Sequence, residues 1–179
     1  MIALYDRTAH ALDRSADTIL PTLGRFVFAA TLLIYFWNSA GTKWGGTPFT
    51  PDIGGYAQIF PKVMEAVGYD ISQMSIFHWA VVVAGTLAEY ILPLLIVIGL
   101  FTRLSALGMI GFVVVQSLTD LYGHGGIEHA ETVGAWFDNL SNGAILDQRA
   151  FWVFLLVALV LKGAGPLSVD RLLAGRRAS

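Results

Sequence analysis

The sequence contains no cysteine. That excludes structural disulfides, dithiol redox chemistry, thiolate metal sites and covalently attached c-type haem on this chain. Charge is scarce as well. Only 13% of the 179 residues are Asp, Glu, Lys or Arg, while 55% are hydrophobic; soluble domains carry about 25% charged residues. With a mean hydropathy of +0.64, lipid rather than water is the expected solvent. The net charge of −2 says little by itself, and no nucleic-acid partner is expected. There is no nucleotide-binding loop, low-complexity tract or internal repeat. A cleavable leader is not expected either. Asp6, Arg7, Asp13, Arg14 and Asp17 precede the first apolar run, and no small-residue cleavage site follows it.

What is present is a set of long apolar runs. A bilayer core about 30 Å thick needs about 20 helical residues at 1.5 Å each. Runs at 21–40, 76–100 and 104–122 meet that length. A fourth, at 146–163, has an uncharged stretch from Ala150 to Leu161 flanked by Arg149 and Lys162. It spans if both long side chains snorkel to the interfaces; a re-entrant segment is the alternative. Before the first run, Ile2, Tyr5, Ala9, Leu12, Ala16 and Ile19 recur at spacings of three and four. That pattern predicts an amphipathic interfacial helix. The expected fold is therefore all-α: a single domain over 1–179, forming a polytopic membrane four-helix bundle with an N-terminal amphipathic interfacial helix.

Basic residues orient the bundle. With four spans, Arg7, Arg14, Arg25, Arg103, Lys162, Arg171, Arg176 and Arg177 fall on one side, and Lys43, Lys62 and Arg149 on the other. The positive-inside rule makes the first side cytoplasmic. The expected location is a bacterial inner membrane with both termini inside. The two outer loops, 42–75 and 123–149, are long and carry Trp44, Phe49, Tyr56, Phe60, Trp136 and Phe137. Loops of this length are more often functional, or folded back on the surface, than idle.

Glu89 draws the most attention. A carboxyl group in mid-span costs several kcal/mol unless it is paired, hydrated or protonated. Pro93, four residues later, has no N–H for the Glu89 carbonyl. Ala80, Ala84 and Ala88 form a small-residue stripe that would let another helix approach. Arg25 is the expected partner. It lies about 7–8 Å above the inner end of its span, and Glu89 about 16 Å above the inner end of its own. With Arg103, these two are the candidate buried polar centre. That centre reads either as a place for a quinone head group, a proton or an anion, or as an ion pair that orients helices.

A second polar group lies near the outer ends: His78, Gln116, Asp120, His124 and His129, with Asn38, Lys43, Glu128 and Glu131 nearby. His124 and His129 are weak metal candidates. They are five apart with glycines between, so no helix face holds both as a zinc helix would. Haem gripped by His78 and His124 is the weaker variant of the same idea, and no metal site is expected. No nucleophile–base signature appears, and no second acid for a catalytic pair is evident near Glu89.

KGAGPLSVD follows the last span. A dinucleotide reading of its Gly–x–Gly needs a preceding strand, whereas a membrane helix precedes it. Gly163 is expected to cap that helix, and Ser168 or Asp170 to cap a short tail helix.

Three stretches together resemble the DoxX family of small four-helix membrane proteins. LPTLGRFVFAATLLIYFWNSAGTKW resembles the family's first span, with Arg25, Gly41 and Lys43. AEYILPLLIVIGLFTRLSALG resembles its second span and inner turn, with Glu89, Gly99, Thr102 and Arg103. KGAGPLSVDRLL resembles its terminal signature, with Gly163, Gly165, Ser168 and Asp170. The family takes in a membrane subunit of thiosulfate:quinone oxidoreductase, proteins working beside detoxifying enzymes in oxidative-stress complexes, and others that accompany the making of copper-binding peptides. The resemblance thus implies an integral subunit or scaffold of a redox-linked complex, with protein partners or a homo-oligomer around it; the cofactor stays open, with quinone at the Arg25, Glu89 and Arg103 centre as the candidate. A small-solute or ion permease acting as an oligomer, with Glu89 in its pathway, is the other reading.

Overall fold

A computed structural model describes residues 1–47 and 49–177, apart from the side chains of Ala3, Arg176 and Arg177. Pro48, and the side chains of the two arginines counted in the charge balance, lie outside the described residues. Among those described, four helices are long and apolar enough to cross a bilayer: Leu4–Gly41, Ile76–Ile98, Thr102–Gly123 and Ala144–Lys162. Each overlaps an expected run, and the fourth is long enough to span. The fold is all-α, with no β-strand among the described residues.

The first span is α1 (Ile2–Phe28), a π-helical stretch at Ala29–Leu33, and α2 (Ile34–Gly41). Residues 2–19 form the expected amphipathic helix, with Ile2, Tyr5, Leu12 and Ile19 exposed. It runs without a break into the span through Pro21. No glycine precedes Pro21 to end the helix before it. Phe28, Leu32 and Phe36, four apart, place one stripe of the span in the core.

Two short helices follow, α3 (Ile53–Ile59) and α4 (Pro61–Ala66). Asp52 caps α3 by accepting from the Gly55 N–H, and Pro61 starts α4 at a position where no N–H is needed. Tyr56 and Met64 pack on Val82 of α5 (Ile76–Ile98). This long loop therefore folds back over one half of the second span.

Gly99 and Phe101 both take left-handed backbone and make the tight turn into α6 (Thr102–Leu118), extended by a π-helical stretch at Thr119–Gly123. The second long loop holds α7 (Ala130–Val133). The fourth span is a π-helical stretch at Ala144–Arg149 followed by α8 (Ala150–Lys162), and α9 (Val169–Arg177) closes the described chain.

Contacts run in a ring. The third span packs on the second and the fourth. The first packs on the fourth through α1 and on the second chiefly through α2. The main core joins Phe28, Phe36, Ile96, Met109, Leu156 and Leu159, all but fully buried. Four spans place the start of the first span, the 99–101 turn and α9 at one end, called here the tail end. The two long loops share the other, the loop end.

At the tail end, the terminal signature is a clasp. Asp170 accepts from Phe101 N, Thr102 N and Thr102 Oγ1 at 2.8–3.0 Å, and its own N–H donates to Gly99 O. Gly163 ends α8 with positive φ, as expected. Ser168 caps α9 by accepting from Arg171 N. Asp170 does not cap its own helix; it caps the start of the third span.

Candidate functional site

Helix ends leave carbonyls without partners, and this decides where Arg25 goes. Its guanidinium donates to Ile96 O and Val97 O at the end of the second span, and to Ala164 O and Leu167 O beyond the fourth. Arg103 likewise donates to Val160 O and Leu161 O. The structure does not bring Arg25 or Arg103 to Glu89. Both arginines sit at the tail end, where carbonyls are available. Glu89 lies farther towards the loop end and meets a different cation.

That cation is Lys43. It stands just past the end of α2, and its side chain folds back along the helix. Nζ donates to Glu89 Oε2 at 2.7 Å, and to Ser39 O and Oγ at 2.9 Å each. Ser39 Oγ donates in turn to Glu89 Oε1 at 2.9 Å. All three ammonium donors and both carboxylate oxygens are engaged. Lys43 is 5% exposed and Glu89 2%, so each charge is held away from solvent by the other and by Ser39. Sequence reasoning missed Lys43 as the partner. The available signal was the four-residue spacing from Ser39, which puts both on one helix face.

Lys43, Ser39 and Glu89 line a cavity of about 460 Å³. One wall is Ala84, Gly85 and Ala88 of the second span; the facing wall is Gly108 and Gly111 of the third. Ala84 and Ala88 of the stripe expected to admit another helix thus line a gap, while Ala80 does not reach it. A Cβ placed on Gly111 would meet nothing within 4 Å. Leu92, Phe112 and Val115 add apolar surface. Small residues on facing helices keep the side chains short, so the space stays open.

Three members of the expected outer group reach this cavity. Gln116 donates through Nε2 to Tyr35 Oη at 3.1 Å, while its buried Oε1 has no partner among the described residues. His124 Nε2 lies 3.0 Å from Gln58 O, tying the two loops together across the cavity mouth. Asp120 pairs with Arg149, which also donates to Ser117 Oγ and lies 6.0 Å from the Trp152 ring centre. Arg149 was expected to snorkel outwards; it is 7% exposed and turned inwards, because Ser117 and Asp120, three apart on one helix face, offer it oxygens.

The other two members are elsewhere. His78 accepts from Ser75 N and completes the cap of α5. His129 lies 3.7 Å from Glu131, both exposed. Among the described residues, no three His, Asp or Glu side chains gather as a metal site would require. On the folded loop, burial raises the Tyr56 hydroxyl above its ordinary pKa.

The DoxX family model matches residues 20–119, more than half of the chain. The match takes in Arg25, Lys43, Glu89, Arg103 and Gln116, and ends before the fourth span and its Arg149. No curated protein and no solved structure matches the chain.

Proposed function

The chain belongs to the DoxX family, and from that premise we propose that it is the quinone-contacting membrane subunit or scaffold of a redox-linked complex in a bacterial inner membrane. That it is an integral membrane protein follows from its four apolar spans. The reading of the cavity rests on one observation. A paired lysine and carboxylate stand on the wall of a largely apolar space between two spans lined with small residues, with further polar groups such as Gln116 and His124 on its lining. Such a site suits an amphiphile with a compact polar head and a hydrocarbon body.

A quinone in its reduced form fits the polar groups. Its two hydroxyls need acceptors. The buried Gln116 Oε1 is an acceptor without a donor, and Glu89 retains lone pairs beyond those used by Lys43 and Ser39. An unsatisfied buried acceptor costs about 1–3 kcal/mol, which a hydroxyl head would recover. The chain has no cysteine and no evident electron carrier of its own. In this reading, electrons belong to partner subunits, and this chain supplies the lipid-accessible head-group site. A permease reading has less support. Phe28, Ile96, Met109 and Leu156 fill the tail-end half of the bundle at 0% exposure, so a solute path would have to open the main core.

The test is decylubiquinol titrated into the purified protein, read by the fluorescence of its five tryptophans, of which Trp37 donates through Nε1 to Tyr90 O beside Glu89. Saturable quenching is expected. A Cβ at Gly111 meets nothing within 4 Å, so Gly111→Leu should keep the fold, narrow the cavity and abolish quenching. Equal quenching of wild type and Gly111→Leu, or none in either, overturns the site. Mass spectrometry of chains that co-purify in mild detergent tests the subunit reading, and a homo-oligomer alone would refute it.

A further inference from the structure

At the tail end, a second open pocket of about 440 Å³ lies between the start of α6, the end of α8 and α9. Its charged lining is Arg103, Lys162, Arg171 and Asp170. Asp170 is committed to Phe101 N, Thr102 N and Thr102 Oγ1, which leaves the three cations to set the field. We propose that this pocket binds the phosphate of an anionic phospholipid.

The guanidinium of Arg103 is preset for it. Nη1 is held by Val160 O and Leu161 O at 2.6 and 2.8 Å, which fixes the plane. Nε and Nη2 make no hydrogen bond among the described residues. They face Gly163, where an added Cβ would lie 3.3 Å from both atoms. A glycine there keeps that edge of the guanidinium uncovered, and two parallel N–H donors are what a phosphate accepts. Lys162 is bound to Asp17, but both side chains are substantially exposed; such a pair contributes little and can yield to a stronger anion. The Arg171 side chain is exposed, and only its backbone N–H serves the Ser168 cap.

The level and surroundings select a lipid over a soluble anion. Arg103 is the second residue of the third span and Lys162 the last of the fourth, so the pocket lies at head-group depth. Phe101, Leu104 and Leu161 are exposed beside it. They continue the pocket along the flanks of the spans, where acyl chains run. Basic pockets between spans on the cytoplasmic side are suited to anionic head groups, and the same end carries most of the chain's Lys and Arg.

The experiment uses the full chain in detergent. Native mass spectrometry and thermal unfolding are followed with phosphatidylglycerol, with phosphatidylcholine of the same chains, and with inorganic phosphate. Phosphatidylglycerol should bind at one copy per chain and raise the melting temperature; the other two should not. The double variant Lys162→Gln, Arg171→Gln spares the Asp170 clasp and should weaken phosphatidylglycerol at least tenfold. If that variant does not fold, added salt on the wild type should remove the shift instead. An equal shift with phosphatidylcholine, an equal shift with inorganic phosphate, or undiminished binding by the double variant or in salt would each overturn the proposal.

Discussion

The Lys43 ammonium and the Glu89 carboxylate, 46 positions apart in sequence, meet at 2.7 Å within the membrane bundle. The pair joins the end of the first span to the middle of the second. Ser39 completes it from the same face as Lys43.

Removing either partner leaves the other charged, buried and alone. Glu89→Gln and Lys43→Met should each lower stability by about 3–5 kcal/mol. The double variant Lys43→Met, Glu89→Gln should recover much of that loss, since no unpaired charge remains. A double-mutant cycle on unfolding in detergent measures it. Additive losses would show that the two groups do not depend on one another.

The clasp at the tail end makes a second prediction. A Cβ on Gly99 would lie 2.6 Å from Ser168 Cβ and 2.8 Å from Arg25 Cζ, at a residue with φ +70°. Gly99→Ala should therefore push α9 off the turn. Arg25→Lys keeps the charge but loses the fork that reaches carbonyls on two spans; it should cost about 2 kcal/mol, on the scale of one charge-assisted hydrogen bond. Both variants should expose residues 163–177 to limited proteolysis while the loop end stays protected. Unchanged cleavage would mean that the tail is held by other contacts.

The spans were legible because the length of an apolar run is set by the bilayer and hardly by the fold. The fourth emerged once Arg149 and Lys162 were allowed at its ends. The partner of Glu89 was not legible by the same means. Counting rise from the tail-end helix ends rightly sets Arg25 nearer that end than Glu89, but its guanidinium finds helix-end carbonyls within reach and does not extend to the carboxylate. By sequence Lys43 falls in the first long loop, and only the fold shows its side chain turning back past Gly41. The Gly–x–Gly tail read correctly as a cap at Gly163. Of the two cap candidates for the tail helix, Ser168 serves it, while Asp170 accepts at a turn 68–69 residues away. Cavities are the least legible feature: a stripe of alanines reads as a packing surface, and only the facing Gly108 and Gly111 make it a gap.

Arg149 and Asp120 differ in burial, and that predicts an asymmetry. The Arg149 side chain is 9% exposed and Asp120 35%. Asp120→Ala strands a buried guanidinium and should cost about 3–5 kcal/mol. Arg149→Met keeps contact with Trp152 and strands a carboxylate that water can reach, so its cost should be about 1 kcal/mol. Melting temperatures of the two variants decide it. Equal losses, or a larger loss from Arg149→Met, would mean that packing rather than charge dominates the contact.

Orientation can be read directly because the chain has no cysteine to mask. Thr8→Cys, Glu65→Cys and Ala174→Cys each place one thiol at an exposed position on the N-terminal helix, the first long loop and α9. The excess of Lys and Arg at the tail end predicts a cytoplasmic location for that end. In intact cells, a membrane-impermeant maleimide should label Glu65→Cys alone, and all three after permeabilisation. Labelling of Thr8→Cys and Ala174→Cys without Glu65→Cys would reverse the orientation, and with it the assignment of the basic tail-end pocket to the cytoplasmic leaflet. Labelling of Thr8→Cys or Ala174→Cys but not both would require an odd number of crossings. The fourth span would then not cross, and the inward-turned Arg149 would anchor a re-entrant segment.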